Sequence, residues 1–123
     1  MVTFSDWLAN ELNQRGMSPA DLARATNKAQ AVISRILSNE RRPAPETLES
    51  IARALKLPPE IVFRRAGLLP PVSPDIEYRE ELLYLFSELS PDEQEEIIEL
   101  LRFKKERKTK ELVNPARMLL KAK

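Results

Sequence analysis

The chain has 123 residues, of which 42% are hydrophobic, and this allows one domain with a buried core and a smaller appended segment. It contains neither cysteine nor histidine, which excludes disulfides and thiolate chemistry and removes the commonest metal ligand and general base, so we expect no enzyme, no metal and no other cofactor. The net charge is only +1, and no apolar run is long enough for a membrane span or a secretory signal, so we expect a cytoplasmic protein with no membrane partner.

The prolines divide the chain into segments that all show helical spacing of apolar residues. Proline is tolerated in the first turn of a helix and breaks its interior, so these positions indicate helix boundaries. No segment has the alternating pattern of a strand followed by a hairpin turn, and the sequence therefore predicts an all-α fold. The dividing prolines are Pro19, Pro43, Pro45, Pro58, Pro59, Pro70, Pro71, Pro74, Pro91 and Pro115.

A first helix is predicted by one apolar stripe, which places Trp7 in the core and ends near Gly16. The stripe consists of Phe4, Trp7, Leu8 and Leu12. A second helix begins at the sequence SPAD, residues 18–21, where Ser18 can cap the first turn, Pro19 needs no amide partner and Asp21 faces the positive end of the helix dipole.

The stretch LARATNKAQAVISRIL, residues 22–37, predicts two short helices separated by a break at residues 26–28. The apolar side of the second of these consists of Val32, Ile33, Ile36 and Leu37, and the opposite side carries Lys28, Gln30, Ala31, Ser34 and Arg35. Residues 24–42 hold five basic residues against one acidic residue. This balance indicates a local basic face for a polyanion.

Two further helices complete the first half of the chain. The fourth covers residues 46–57, and the fifth follows Pro58 and Pro59 and reaches Gly67. The sequence thus predicts a five-helix domain over residues 1–69.

The second half follows a Pro-rich linker, PPVSPD, at residues 70–75. Two helices are predicted over residues 76–112, the second of them starting at the capping sequence SPDE, and a tail covers residues 113–123. Residues 75–99 hold ten acidic residues against one basic residue, whereas residues 100–123 hold nine basic against two acidic. A helical hairpin of this size buries little by itself, so its apolar side chains must meet either the first domain or another copy of the chain.

Several motifs in the first half stand in the order and at the distances of a known family. They are LA at residues 22–23, ISRI at 33–36, RRP at 41–43 and LESIARAL at 48–55. With these motifs, the stretch from Phe4 to Leu69 resembles the phage repressor/Cro-type helix-turn-helix domain of bacterial transcription regulators, also called the xenobiotic-response-element-like family.

The resemblance implies a sequence-specific regulator of double-stranded DNA, a repressor that reads the major groove with residues 28–38. It implies that the bases are read by Gln30, Ala31, Ser34 and Arg35, and that the phosphates are contacted by Ser18, Lys28, Asn39, Arg41 and Arg42. Family members of this size dimerise through a helical C-terminal segment, so it also implies a homodimer on a two-fold site. The dimerisation residues would be Leu82, Leu83, Leu85, Phe86, Ile97, Ile98 and Leu101.

The chain departs from the family pattern in the turn and at the helix that follows it. Asn27 and Asn39 stand where the family has glycine, and asparagine is the next most tolerant residue of the left-handed region. Ala29 stands where a capping serine or threonine is usual; if Asn27 caps instead, the third helix starts earlier and the reading residues shift by about one position. Lys28 either contacts phosphate or is solvated, and Ser34 either reads a base or bonds back to a carbonyl of its own helix.

Two other functions use the same fold. An antitoxin would bind DNA and hold a toxin chain with its C-terminal part, and a protein-interaction module would bind a protein ligand and no DNA.

Overall fold

The protein is described by a computed structural model, which covers the backbone of residues 2–113 and the side chains of residues 2–109. The described residues form seven α-helices and no strand, which confirms the all-α prediction. The helices are α1 (Phe4–Gln14), α2 (Pro19–Thr26), α3 (Gln30–Leu37), α4 (Pro45–Leu55), α5 (Pro59–Arg65), α6 (Pro74–Ser87) and α7 (Pro91–Val113). Apart from Val113, the predicted tail lies outside the described residues.

Five of the helices begin with a proline at their first position, and the other two are α1 and α3. The prolines predicted boundaries at these places, but α4, α5 and α6 begin one or two residues before their predicted starts, because proline fits the first helical position. Pro74 and Asp75 therefore belong to α6 and not to the linker. Thr3 caps α1 in a reciprocal capping box with Asp6, which was not predicted from the sequence.

The core of the first five helices is one buried apolar cluster. In it α2 packs against α3 and α4, α4 against α5, and α1 against α3. Trp7 is half-buried at its edge, 5.6 Å from the ring of Phe4. The buried members are Leu8, Leu12, Leu22, Ala23, Ile33, Ile36, Leu48, Ile51, Ala52, Leu55, Leu57 and Val62. The apolar positions predicted for α1 and α3 all lie in this cluster or against it.

The chain divides into two compact units, Met1–Leu85 and Phe86–Lys123. The first unit extends beyond the predicted domain end at residue 69, because two arginines of α5 form ion pairs with two glutamates of α6. Arg64 binds both Glu77 and Glu80, and Arg65 binds Glu77. Most of α6 thus belongs to the first unit.

The apolar residues predicted for dimerisation are incompletely covered in the chain. Leu82, Leu83, Leu85 and Leu101 are exposed, whereas Phe86, Ile97 and Ile98 are half-buried. No residue of α6 is buried. Among residues 2–113, no helix is both long and apolar enough to cross a bilayer.

Candidate nucleic-acid interface

The turn between α2 and α3 is made by an asparagine in the left-handed conformation. Asn27 has φ 56° and ψ 39°, and the amide of Lys28 donates to the carbonyl of Ala23 at 3.0 Å, which closes the last turn of α2. The side chain of Thr26 is buried, and its hydroxyl donates to the carbonyl of Leu22 at 2.7 Å. Asparagine thus takes the place of the family's glycine, as the sequence predicted.

The start of α3 settles which residues share its outer face. Ala29 is the N-cap, with an extended backbone and no side-chain hydrogen bond, so Asn27 ends α2 and does not cap α3. The alternative in which α3 begins earlier is therefore wrong. The predicted reading residues keep their register.

One side of α3 is anchored in the core and the other side is exposed. Ile33 and Ile36 are 0% and 1% exposed. The exposed side carries Gln30, Ala31, Ser34 and Arg35, the residues proposed to read bases. Their spacing of one, three and one residues keeps them on the same side of a helix with 3.6 residues per turn.

The polar side chains on this face have no partner among the described residues. Gln30, Ser34 and Arg35 make no side-chain hydrogen bond or ion pair within residues 2–109. The alternative in which the Ser34 hydroxyl bonds back to its own helix is therefore not observed. All three groups remain available to a ligand.

The C-terminal end of α3 is held by a buried hydrogen bond to α1. The hydroxyl of Ser5 donates to the carbonyl of Ile36 at 2.7 Å. Asn39 then takes the left-handed conformation, with φ 63°, and the amide of Glu40 donates to the carbonyl of Arg35 at 2.9 Å. These hydrogen bonds fix the position at which the loop after α3 begins.

That loop brings three of the predicted phosphate contacts together. Asn39, Arg41 and Arg42 are exposed and line one groove with Thr3 at the beginning of α1. Neither arginine has an ion pair among the described residues. Two unpaired guanidinium groups beside a helix N-terminus make this groove a favourable place for an anion.

The fourth predicted phosphate contact, Ser18, lies apart from this groove and caps α2. Its hydroxyl accepts from the amide of Asp21 at 3.1 Å, and the carboxylate of Asp21 accepts from the amide of Ser18 at 2.9 Å, which confirms the predicted capping box. The hydrogen bond from the Ser18 amide lowers the pKa of Asp21 below its usual value. Because the hydroxyl accepts inside the box, its own proton is left to donate outward.

Lys28 is neither unpaired nor simply solvated. Its ammonium lies 3.1 Å from the carboxylate of Glu46 in the first turn of α4, and its side chain is 26% exposed. An ammonium has three protons, so a phosphate contact would have to be made alongside this ion pair.

Arg24 was not among the contacts predicted from the sequence. It lies beside Asn27, Lys28 and Gln30 on the walls of a shallow depression between α2 and α3, and it forms an ion pair with Asp21. Its place in the basic stretch and its distance of three residues from Asp21 were the signals available in the sequence.

Comparison with known proteins agrees with this geometry. Residues 8–62 match a family model described as helix-turn-helix. Searches of curated proteins and of solved structures found no match to the chain. The matched segment runs from α1 to α5 and contains the whole α2–α3 pair. The similarity to the helix-turn-helix family therefore covers residues 8–62, which are 55 of the 123 residues, and it includes both helices of the α2–α3 pair.

Proposed function

We propose that the chain is a sequence-specific regulator of transcription that inserts α3 into the major groove of double-stranded DNA. The observation that supports this most is the exposed face of α3, whose polar side chains have no partner among residues 2–109 while its opposite face is anchored in the core. A B-form major groove is about 12 Å wide and admits one helix. The small side chains of Ala29 and Ala31, which are both exposed, let the backbone at the start of α3 approach the groove closely.

The side chains on this face match different base edges. Arg35 can bind O6 and N7 of guanine, Gln30 can bind N6 and N7 of adenine, and Ala31 can touch a thymine methyl group. Ser34 can donate or accept. In this proposal these four residues, Gln30, Ala31, Ser34 and Arg35, carry the sequence preference of the protein.

The surrounding cations and polar groups would hold α3 in register without reading sequence. Asn39, Arg41 and Arg42 would bind the phosphates on one side of the groove, since they line one surface after α3. Ser18, at the start of α2, and Lys28, just before α3, would contact the sugar-phosphate backbone of the DNA. These five residues should set the affinity and its dependence on salt.

We also propose that the protein acts as a homodimer on a two-fold site and represses transcription. α6 and α7 carry exposed apolar residues, and contact with a second copy of the chain would bury them. Two-fold symmetry would place two α3 helices about 34–36 Å apart, on successive major grooves. A dimer in that position occupies the DNA and blocks other proteins from it.

A selection of bound duplexes from a random pool tests this proposal. The full-length protein should enrich a two-fold sequence, and Arg35→Ala should relax the preference at one position of each half-site by about 1–3 kcal/mol. Arg79→Ala is the matched control, because Arg79 is an exposed arginine on α6 whose side chain is 73% accessible. Enrichment of no sequence, or the same relaxed sequence from both variants, would contradict the proposal.

The antitoxin alternative is supported by the same exposed residues of α6 and α7, which could hold a toxin chain in place of a second copy. Purification from native expression separates the two functions. A small partner at one-to-one stoichiometry would favour the antitoxin, and a homodimer that binds its site unaided would favour the repressor. A protein-interaction module would bind no duplex at all, even at low salt.

A further inference from the structure

One face of α7 carries four exposed residues at the spacing of a coiled-coil seam. The residues are Glu96, Leu100, Phe103 and Arg107, separated by four, three and four positions. This spacing keeps them on one side of the helix and is the one by which two helices interlock. Leu100 is 49% exposed and Phe103 is 61% exposed. We call these four residues the α7 seam.

When two copies of the α7 seam run in opposite directions, the acidic end of each lies opposite the basic end of the other. The N-terminal end of the seam is acidic, its centre is apolar and its C-terminal end is basic. In an antiparallel pair with its two-fold axis between Leu101 and Arg102, Leu100 of one copy lies opposite Phe103 of the other. Glu96 then lies opposite Arg107 of the other copy. By symmetry each of these contacts occurs twice.

We propose that α7 pairs with α7 of a second copy in this antiparallel register. The inference rests on the homodimer in the proposed function and specifies its orientation and contacts. The two central contacts cover Leu100 and Phe103, which are otherwise exposed. The two ion pairs select the register, as charges beside an apolar seam do in coiled coils.

Other arrangements of the same helix fit less well. In a parallel pair, Glu96 would lie beside Glu96 and Arg107 beside Arg107, which places like charges together at both ends of the seam. Another face of α7 is already partly covered: Gln94, Ile97 and Ile98 are half-buried, and the side-chain amide of Gln94 donates to the carbonyl of Phe86 in the same unit at 2.8 Å. The α7 seam is exposed and also carries complementary charges at its two ends.

The register also contains a mismatch. Glu99 lies next to the seam on the side where it would face Glu106 of the other copy, and like charges in such flanking positions weaken a helix pair. Glu106→Lys should therefore tighten the dimer.

Charge reversal at the two ends of the seam tests the proposal in the full-length chain. Glu96→Arg and Arg107→Glu should each weaken the homodimer about ten- to a hundredfold, since each places like charges at two symmetric contacts. In an equimolar mixture of the two variants every contact is attractive again, so a heterodimer should form. The double variant should regain the homodimer. Sedimentation equilibrium gives the dissociation constants, and native mass spectrometry identifies the mixed species.

The controls change the same charges away from the α7 seam. Glu95→Arg and Lys108→Glu lie on outward positions of α7 and should dimerise like the wild-type chain, and circular dichroism should show equal helix content in all variants. If the wild-type chain dimerises but both reversals leave it unchanged, the α7 register is overturned and the proposed dimer stands. If the wild-type chain is monomeric both free and on selected DNA, the dimer of the proposed function fails too.

Discussion

The guanidinium of Arg64 donates two parallel hydrogen bonds to the carboxylate of Glu80, from Nη1 to Oε1 at 2.6 Å and from Nη2 to Oε2 at 2.7 Å. This bidentate geometry is the strongest form of an arginine–carboxylate pair. It joins the last turn of α5 to α6 across the Pro-rich linker, and Arg64 is only 9% exposed. The linker thus does not leave α6 free of the first five helices.

This contact predicts that the first unit loses stability in mild acid. The hydrogen bond from Arg64 holds the pKa of Glu80 below its usual value, and the hydrogen bond from Arg65 does the same to the pKa of Glu77. Because folding depresses these pKa values, the stabilisation is fully present above the unfolded value of 4.5. It is lost as the pH falls through the lower folded values. The pH dependence of the melting temperature, followed by circular dichroism, measures the effect.

Glu80→Gln should lower the melting temperature by a few degrees near neutral pH and reduce the acid-dependent loss. Asp75→Asn on the same helix is the control. The side chains of Asp75 and Arg79 are 70% and 73% exposed, so the ion pair between them contributes little to stability. Equal changes in melting temperature would mean that the Arg64–Glu80 pair stabilises the first unit no more than the exposed Asp75–Arg79 pair does.

The uncapped start of α3 predicts a stabilising substitution. Ala29 has the extended backbone of an N-cap, with φ −65° and ψ 142°, but no side chain that can accept from the first turn. Ala29→Ser should raise the free energy of unfolding by about 1 kcal/mol. Urea denaturation measures the change.

Ala44 gives this prediction a matched control, because it is an N-cap of the same kind on α4, with φ −70° and ψ 156°. Ala44→Ser should stabilise the protein by a similar amount and leave DNA binding unchanged. Ala29→Ser can also change binding, since Ala29 stands beside Gln30 at the start of the proposed reading helix. A loss of stability in both variants would contradict the capping argument.

The left-handed conformation of Asn27 predicts opposite effects of two small substitutions. Asn27→Ala should destabilise the chain by about 1 kcal/mol, because alanine has a steric penalty at φ 56°. Asn27→Gly should be neutral or stabilising, because glycine has no such penalty. Chemical denaturation of the two variants compares them directly, and equal stability would show that the turn adapts to its residue.

Much of this domain could be predicted from local sequence. Pro19, Pro45, Pro59, Pro74 and Pro91 each mark the first residue of a helix, because proline lacks the amide that a first turn does not use. The apolar spacing placed Ile33 and Ile36 inside and therefore fixed the outer face of α3. These signals lie within a few residues of the features that they predict.

The features that were missed depend on residues far apart in the chain. Arg64 meets Glu80 only because the chain turns after Gly67, and neither helix pattern specifies that turn. Lys28 likewise pairs with Glu46, which is 18 residues further on. Surface charges have many possible partners of similar energy, so composition alone does not select among them. The packing of the intervening helices determines which of these charged pairs form.

Arg35 in the last turn of α3 and Arg42 in the loop that follows should separate sequence reading from phosphate binding. Arg42→Ala should weaken binding to every duplex alike and reduce the slope of log K against log salt by about 0.9 for each phosphate that the variant no longer neutralises. Arg35→Ala should weaken binding chiefly to the selected duplex, because a base contact carries sequence and a phosphate contact does not. Titrations of one selected and one scrambled duplex at several salt concentrations measure both quantities. The contrast follows from the structure, since Arg35 projects from the helix whose other side is buried and Arg42 lies in the groove beside Thr3. Identical effects of the two variants on both duplexes would contradict this division of roles.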